Sequence, residues 1–127
     1  MLRSRTSDTA GGATIEGDRS GFARLGALII EGHGRLDLDQ VGDPSPYARW
    51  LTGIVVRRGD AESVTVGYSD DRLDLTIGCP EPHVEAVAWN IAGCMLDAAV
   101  GYHRHEEAYP EHFYLDERAV PLVVERI

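Results

Sequence analysis

The segment from His103 to His112 gathers more reactive side chains than any other stretch of the chain. Its ten residues, His-Arg-His-Glu-Glu-Ala-Tyr-Pro-Glu-His, include three of the five histidines and three acidic residues. Side chains alternate between the two faces of an extended strand, so His103, His105 and Glu107 are expected to project from one side. Two imidazoles and a carboxylate on one edge are suited to hold a metal ion, relay a proton or contact a charged partner.

A metal site is the most specific chemistry that this pattern allows. Two histidines and one carboxylate form a facial ligand set for iron, and zinc accepts the same set together with water. Glu111 or His112 would complete the set. The competing interpretation is a polar edge strand whose histidines pack their rings and form local hydrogen bonds. We favour it over a metal site, because short histidine motifs often occur without binding a metal. We therefore expect no cofactor and keep His103, His105 and Glu107 as the alternative, metal-binding interpretation.

Other catalytic patterns have little support. The sequence contains no Gly-x-Ser-x-Gly elbow, and no glycine-rich loop precedes a predicted helix, as a phosphate site would require. Cys79 stands at the start of a predicted helix, where its thiol pKa would be lowered, but a helix-capping role explains it equally well. We therefore expect a protein without catalytic residues.

The charge balance limits the possible partners. The chain carries 12 basic and 21 acidic residues, a net charge of -9, and every basic residue is arginine. Binding to nucleic acids or to anionic membranes requires clustered positive charge on the protein, so this negative net charge disfavours both. It favours a basic protein partner instead. No stretch is apolar enough for a secretory signal or a membrane span, so a cytoplasmic location with reduced cysteines is expected.

The apolar pattern predicts one domain over residues 13–127, after a flexible leader over residues 1–12. Two segments with a single apolar stripe, around 22–29 and 84–98, are predicted helices. Cap residues at 17–20 precede the first, and Gly32 and Gly34 are expected to end it. One helical turn is predicted at 47–51. The other apolar segments alternate with period two and are predicted strands, giving the order β-α-β-β-β-β-α-β-β. The fold class is therefore α+β, a two-layer sandwich of an antiparallel β-sheet, built around a meander, with two helices packed on one face.

In this sandwich the second face of the sheet is open to solvent. It is predicted to be acidic and to offer a surface for a macromolecular contact. The polar residues expected on it are Asp37, Asp39, Arg57, Ser63, Thr65, Asp74 and Thr76.

The order of several short motifs resembles small α+β immunity proteins of bacterial polymorphic-toxin systems. The motifs are Asp-Pro-Ser-Pro-Tyr-Ala-Arg-Trp-Leu at 43–51, Leu-Asp-Leu-Thr-Ile-Gly at 73–78, His-x-His-x-Glu at 103–107, Pro-x-His-x-Tyr-Leu at 110–115 and Val-Pro-Leu-Val-Val-Glu at 120–125. The resemblance covers about three quarters of the chain. It implies a stoichiometric inhibitor that binds and neutralises a cognate toxin and has no catalytic activity; a basic toxin domain would suit the acidic surface.

The leading hypothesis is therefore a non-enzymatic protein-binding module. Aromatic anchors and charge steering would hold and guide the partner. Trp89, on the second predicted helix, is expected to pack in the interior, whereas Phe113 and Tyr114, in a loop, are better candidates for the interface. A structural subunit of a larger assembly is a further alternative, because exposed strand edges allow other chains to pair. The residues predicted to contact the partner are Tyr102, His103, His105, Glu107, Tyr109, His112 and Tyr114.

Overall fold

The computed structural model describes residues 1–7, 12–108 and 112–127. These residues form helices and two β-sheets, so the predicted α+β class is confirmed. The elements in chain order are β1 (Leu2–Arg3), β2 (Arg5–Thr6), β3 (Ala13–Gly17), α1 (Arg19–Glu31), β4 (Gly34–Asp37), β5 (Arg49–Trp50), β6 (Gly53–Arg58), β7 (Thr65–Tyr68), β8 (Asp74–Cys79), α2 (Val84–Ile91), β9 (His103–Glu106) and β10 (Leu122–Arg126).

The larger sheet has the strand order β5-β2-β3-β10-β9, with β1 also paired to β3. Strands β3 and β10 are parallel, with Ile15 opposite Val124, and the other pairs are antiparallel. All five residues of β3 are buried, as expected for a strand with neighbours on both sides. Strand β9 lies at one end of this order, so its second edge has no strand partner among the described residues.

The N-terminal residues belong to the larger sheet, which differs from the flexible leader predicted over residues 1–12. Leu2 pairs with Gly17 and Thr6 pairs with Ala13, and Leu2 is fully buried. Strands of two residues are too short to produce a periodic pattern, so the sequence alone did not indicate them. The predicted helical turn at residues 47–51 is likewise replaced by β5, which pairs with β2.

The smaller sheet has the order β4-β6-β8-β7 rather than that of the predicted meander. Strands β6 and β8 are parallel neighbours, with Ile54 opposite Leu75, and β7 pairs only with β8 among the described strands. The apolar strand β8 takes an interior position and the more polar β7 an edge, as burial favours.

The face of the smaller sheet that carries Arg35 and Arg57 is charge-balanced, which corrects the prediction that this sheet has an acidic surface. Arg35 forms hydrogen bonds with both carboxylate oxygens of Asp74, at 2.9 and 3.3 Å, and also pairs with Asp37. Arg57, on β6, is exposed on the same face. Two arginines therefore balance the two aspartates that the strands carry there.

Helix α1 begins and ends as its sequence predicts. The Asp18 side chain accepts a hydrogen bond from the Gly21 amide at 2.8 Å, and Gly32 closes the helix with a φ of 96°. Helix α2 is shorter than predicted, because it ends at Ile91 and is followed by a 3-10 turn at Gly93–Met95. Glycine is a poor helix former, which explains the early end.

One hydrophobic core joins the helices and both sheets. Phe22 of α1, Val87 of α2, Ile15 of the larger sheet and Ile54 of the smaller sheet all belong to it and are fully buried. The helices therefore share a core with two sheets instead of covering one. None of the helices in the described part of the chain has the length and apolar character needed to cross a membrane.

Candidate functional site

Strand β9 has two chemically different sides. His105 lies opposite Val123 and His103 opposite Glu125 in the antiparallel pair with β10. Both histidines are exposed, and their ring centroids lie 5.9 Å apart in an edge-to-face arrangement. The prediction that His103 and His105 share one side is therefore confirmed.

The histidine side of β9 belongs to what we call the outer face, the side of the larger sheet that points away from the core. Strand register places residues from six strands on this face, and all of them except Val123 are polar or aromatic. Its members are Arg3, Arg5, Thr14, Glu16, Trp50, His103, His105, Val123 and Glu125.

An arginine cluster covers the half of the outer face near β2. Glu16 is only 3% exposed, and its carboxylate lies 2.9 Å from Arg5 Nε and 3.5 Å from an Arg3 nitrogen. The Arg5 guanidinium stacks 4.8 Å above the Tyr47 ring, and that of Arg3 lies 5.3 Å from the Trp50 ring. Ion pairing together with stacking on aromatic rings holds both arginines in place.

The other half of the outer face is open. A cavity of about 180 Å³ lies between the two halves, and its lining residues are Arg5, Thr14, Glu16, Tyr47, Val123 and Glu125. The Glu125 carboxylate forms no ion pair or hydrogen bond with the described part of the chain. A half-buried carboxylate beside exposed His103 is therefore free to meet a ligand.

The inner side of β9 carries a buried polar network that begins at Glu106, which is 3% exposed. Glu106 Oε2 accepts a hydrogen bond from the Tyr114 hydroxyl at 2.7 Å, and Oε1 lies 2.8 Å from His112 Nε2. The Asn90 side-chain amide of α2 donates to the Tyr114 hydroxyl at 2.8 Å. The network therefore ties β9 to α2 and to the segment before β10.

Hydrogen bonding determines the protonation of this network. His112 Nδ1 accepts from the amides of Tyr114 and Leu115 at 3.4 and 3.3 Å, so the neutral ring carries its proton on Nε2 and donates it to Glu106. Burial, followed by the hydrogen bond to Glu106, raises the pKa of Tyr114 above its usual value. The phenol stays protonated and both imidazole nitrogens are engaged, so the network offers no free general base.

The structure does not assemble the predicted metal site. In residues 1–7, 12–108 and 112–127, no three His, Cys, Asp or Glu side chains are grouped closely enough to hold a metal ion. His103, His105 and Glu107 are exposed, but they do not converge on a common point. His112, one of the two residues proposed to complete the set, binds Glu106 on the opposite side of the strand. The other, Glu111, lies outside the described residues.

Cys79 is not the activated thiol that a helix start suggests. It ends β8, is fully buried, and donates a weak hydrogen bond to the Pro80 carbonyl. Burial raises the pKa of the Cys79 thiol, so the reactive thiolate is disfavoured.

The predicted partner-contact residues divide between surface and interior. Tyr102 is 46% exposed, and the segment's exposed polar members are His103, His105 and Glu107. Tyr114 is 2% exposed and the His112 side chain is 7% exposed, so these two residues are buried. Tyr109 lies outside the described residues.

Several residues of the site were missed by sequence reasoning. Glu107 was chosen instead of Glu106, although period-two alternation places residue 106 on the strand side opposite the histidines. The structure shows that this side faces the core. Phe113 was not missed, because the sequence favoured it as a loop aromatic for an interface; it is 74% exposed and packs its ring 4.8 Å from that of Tyr114. No local pattern indicated Asn90 or the Arg5 cluster, because their partners are distant in sequence.

No family model, curated protein or solved structure matches the chain. Its function is therefore inferred from the side chains on the two sides of β9.

Proposed function

We propose that this chain is a non-enzymatic protein-binding module that neutralises a toxin by binding it stoichiometrically. The observation that carries the proposal is the contrast between the two sides of β9. His103 and His105 are exposed, whereas Glu106, His112 and Tyr114 satisfy one another in the interior. General base catalysis needs a free lone pair within reach of substrate, and the buried network provides none. The exposed His103 and His105 are not grouped with a third His, Cys, Asp or Glu among the described residues.

The outer face favours a basic partner. Glu125 is half-buried without an ionic partner in the described residues, and it shares a cavity with the Tyr47 ring. An arginine or lysine side chain of the partner would form an ion pair with Glu125, as Arg5 already does with Glu16 beside the Tyr47 ring. The net charge of -9 would accelerate the encounter with such a partner. The resemblance to immunity proteins supports a toxin as that partner.

The proposal is tested by titrating the purified chain with purified basic toxin domains, beginning with any that is encoded beside its gene. We expect a one-to-one complex that inhibits the toxin, measured by calorimetry and by the toxin's own activity. Glu125→Gln and the double variant His103→Ala, His105→Ala should each weaken binding by about tenfold or more, which corresponds to about 1.4 kcal/mol. His33→Ala is the matched control, because His33 is also exposed but precedes β4 in the other sheet.

Ionic strength provides a second measurement. Steering by opposite charges predicts an association rate that falls as salt rises, because mobile ions screen exposed charges. A toxin that binds the Glu125→Gln and double-histidine variants as tightly as the wild type would contradict the proposed surface. Failure to inhibit any toxin domain, or turnover by the chain alone, would contradict the proposed function.

A further inference from the structure

An apolar groove runs between α1 and α2 on the side facing solvent, away from the outer face. Its volume is about 370 Å³. Small residues form its floor, among them Ala23, Gly26 and Ala88, and two large apolar side chains flank it. These are Ile30 of α1, 53% exposed, and Trp89 of α2, 62% exposed.

Trp89 was interpreted from the sequence as a packing residue, and its exposure corrects that interpretation. A Cβ atom added to Gly93 would lie 3.0 Å from Trp89 Cε3, so the indole ring lies over this glycine and beside the groove. An exposed tryptophan beside a concave apolar surface is characteristic of binding hot spots. The small residues of the groove floor therefore allow a partner to approach the helix backbones closely, and Trp89 provides an aromatic anchor at the groove wall.

The charges around the groove differ between its two ends. At the end near Ile30, Glu85 lines the groove and Glu81 lies nearby, since Arg58 pairs with Glu81 at 3.1 Å and donates to the Ile30 carbonyl. At the other end Arg19 lies 4.0 Å from Asp97, which leaves that end balanced. The Ile30 end therefore retains negative charge and favours a basic group on whatever binds there.

We propose that the groove between α1 and α2 binds an amphipathic helix of a protein partner, with its apolar face on the small-residue floor and a basic end beside Glu85. Grooves between helices bind the apolar face of a third helix in this way. A second copy of the chain suits the groove less well, because each copy carries a net charge of -9 and the two would repel. The inference concerns a surface separate from the outer face and does not depend on toxin binding.

Two synthetic peptides test the proposal. Each has about 18 residues, or about five helical turns, with leucine and alanine on one face. One carries lysine on its polar face and the other carries glutamate at the same positions. Binding to the full chain is measured by fluorescence anisotropy of labelled peptide, and the contact site by amide chemical-shift changes.

The lysine peptide is expected to bind with shift changes on α1 and α2, and the glutamate peptide at least about tenfold more weakly. Trp89→Ala and Ala27→Gln should each reduce binding of the lysine peptide about tenfold, the first by removing the anchor and the second by filling the groove. Both positions are exposed, so neither variant disturbs the core. Phe113→Ala is the matched control, because Phe113 is an exposed aromatic residue outside the groove.

Three results would overturn the inference. The first is equal binding of the two peptides, and the second is binding of the lysine peptide that neither groove variant changes. The third is a dimer of the free chain, seen by light scattering, that Trp89→Ala converts to a monomer, because the occupant would then be a second copy. Toxin neutralisation that depends on His103 and His105 is unaffected by any of these results, so the two proposals fail separately.

Discussion

Removing one hydroxyl group, in Tyr114→Phe, tests whether the buried network behind β9 holds the fold together. The Tyr114 hydroxyl donates to Glu106 Oε2 at 2.7 Å and accepts from Asn90 at 2.8 Å, and the residue is 2% exposed. Phenylalanine keeps the ring and its edge-to-face contact with His112, whose centroid lies 4.4 Å away. The substitution therefore removes two hydrogen bonds while leaving the ring packing in place.

The magnitude follows from the partners of the hydroxyl. A hydrogen bond to a charged acceptor contributes about 1.5–3 kcal/mol, and one between neutral groups about 1 kcal/mol. Glu106 is left with one unsatisfied buried oxygen, so we expect the free energy of unfolding to fall by about 2–4 kcal/mol. For a chain of this size each kcal/mol corresponds to about 4 °C in Tm, which predicts a decrease of about 8–16 °C.

Urea unfolding followed by circular dichroism measures the free energy, and calorimetry measures Tm. Tyr102→Phe is the control, because Tyr102 is 46% exposed, and its effect should stay within about 0.5 kcal/mol. A double-mutant cycle with Glu106→Gln should give a coupling energy of about 1 kcal/mol or more. If Tyr114→Phe is no more destabilising than Tyr102→Phe, the network does not stabilise the fold as argued.

Further predictions concern other buried groups and α1. Gly26→Ala should stabilise the fold by about 0.5–1 kcal/mol, because the added Cβ meets Ala92 at an ordinary 3.5 Å and improves helix propensity. Gly21→Ala in the same helix should lower Tm, because its Cβ would clash with the Met1 carbonyl oxygen; equal Tm values for the two variants would contradict this. A thiol reagent should label half-buried Cys94 in the folded protein and fully buried Cys79 only after unfolding, as mass spectrometry of the labelled peptides would show. The pKa of Tyr114 is higher in the folded protein than in the unfolded chain, where it is about 10. The protonated phenol therefore stabilises the fold fully below a pH of about 10, and this contribution is lost as the pH rises towards the folded-state pKa. Above that pH of about 10, the free energy of unfolding of the wild type should therefore fall more than that of Tyr114→Phe. Equal decreases for the two proteins, measured by urea unfolding at several pH values, would contradict the raised pKa of Tyr114.

Local sequence signals predicted the elements that depend on local physics. Asp18 and Gly32 bound α1 as expected, since capping depends on residues within one helical turn. Alternation also placed His103 and His105 on one side of a strand. The order of strands was not predictable in this way. The apolar character of β6 and β8 is compatible with either parallel or antiparallel pairing, and long-range packing selected the parallel pair.

The candidate site was predictable only in part, for the same reason. Period two identifies which residues share a side of β9 but does not indicate which side meets the core. Burial of Glu106 depends on Leu122 of β10 beside it and on Tyr114, His112 and Asn90 around its carboxylate. These partners come from separate segments, and no local pattern connects them. The same limit applies to Glu16, whose arginine partners stand in two-residue strands.

The sequence by itself determined the α+β class, the boundaries of α1, the net negative charge and the shared side of His103 and His105, because composition and short-range periodicity control each of these. Only the tertiary structure decided that the open side of β9 joins Glu125 on the outer face while Glu106 is enclosed with His112 and Tyr114. It also decided that Trp89 is exposed beside a groove instead of packed in the core. Such outcomes depend on contacts between segments far apart in the chain, which the folded packing alone selects.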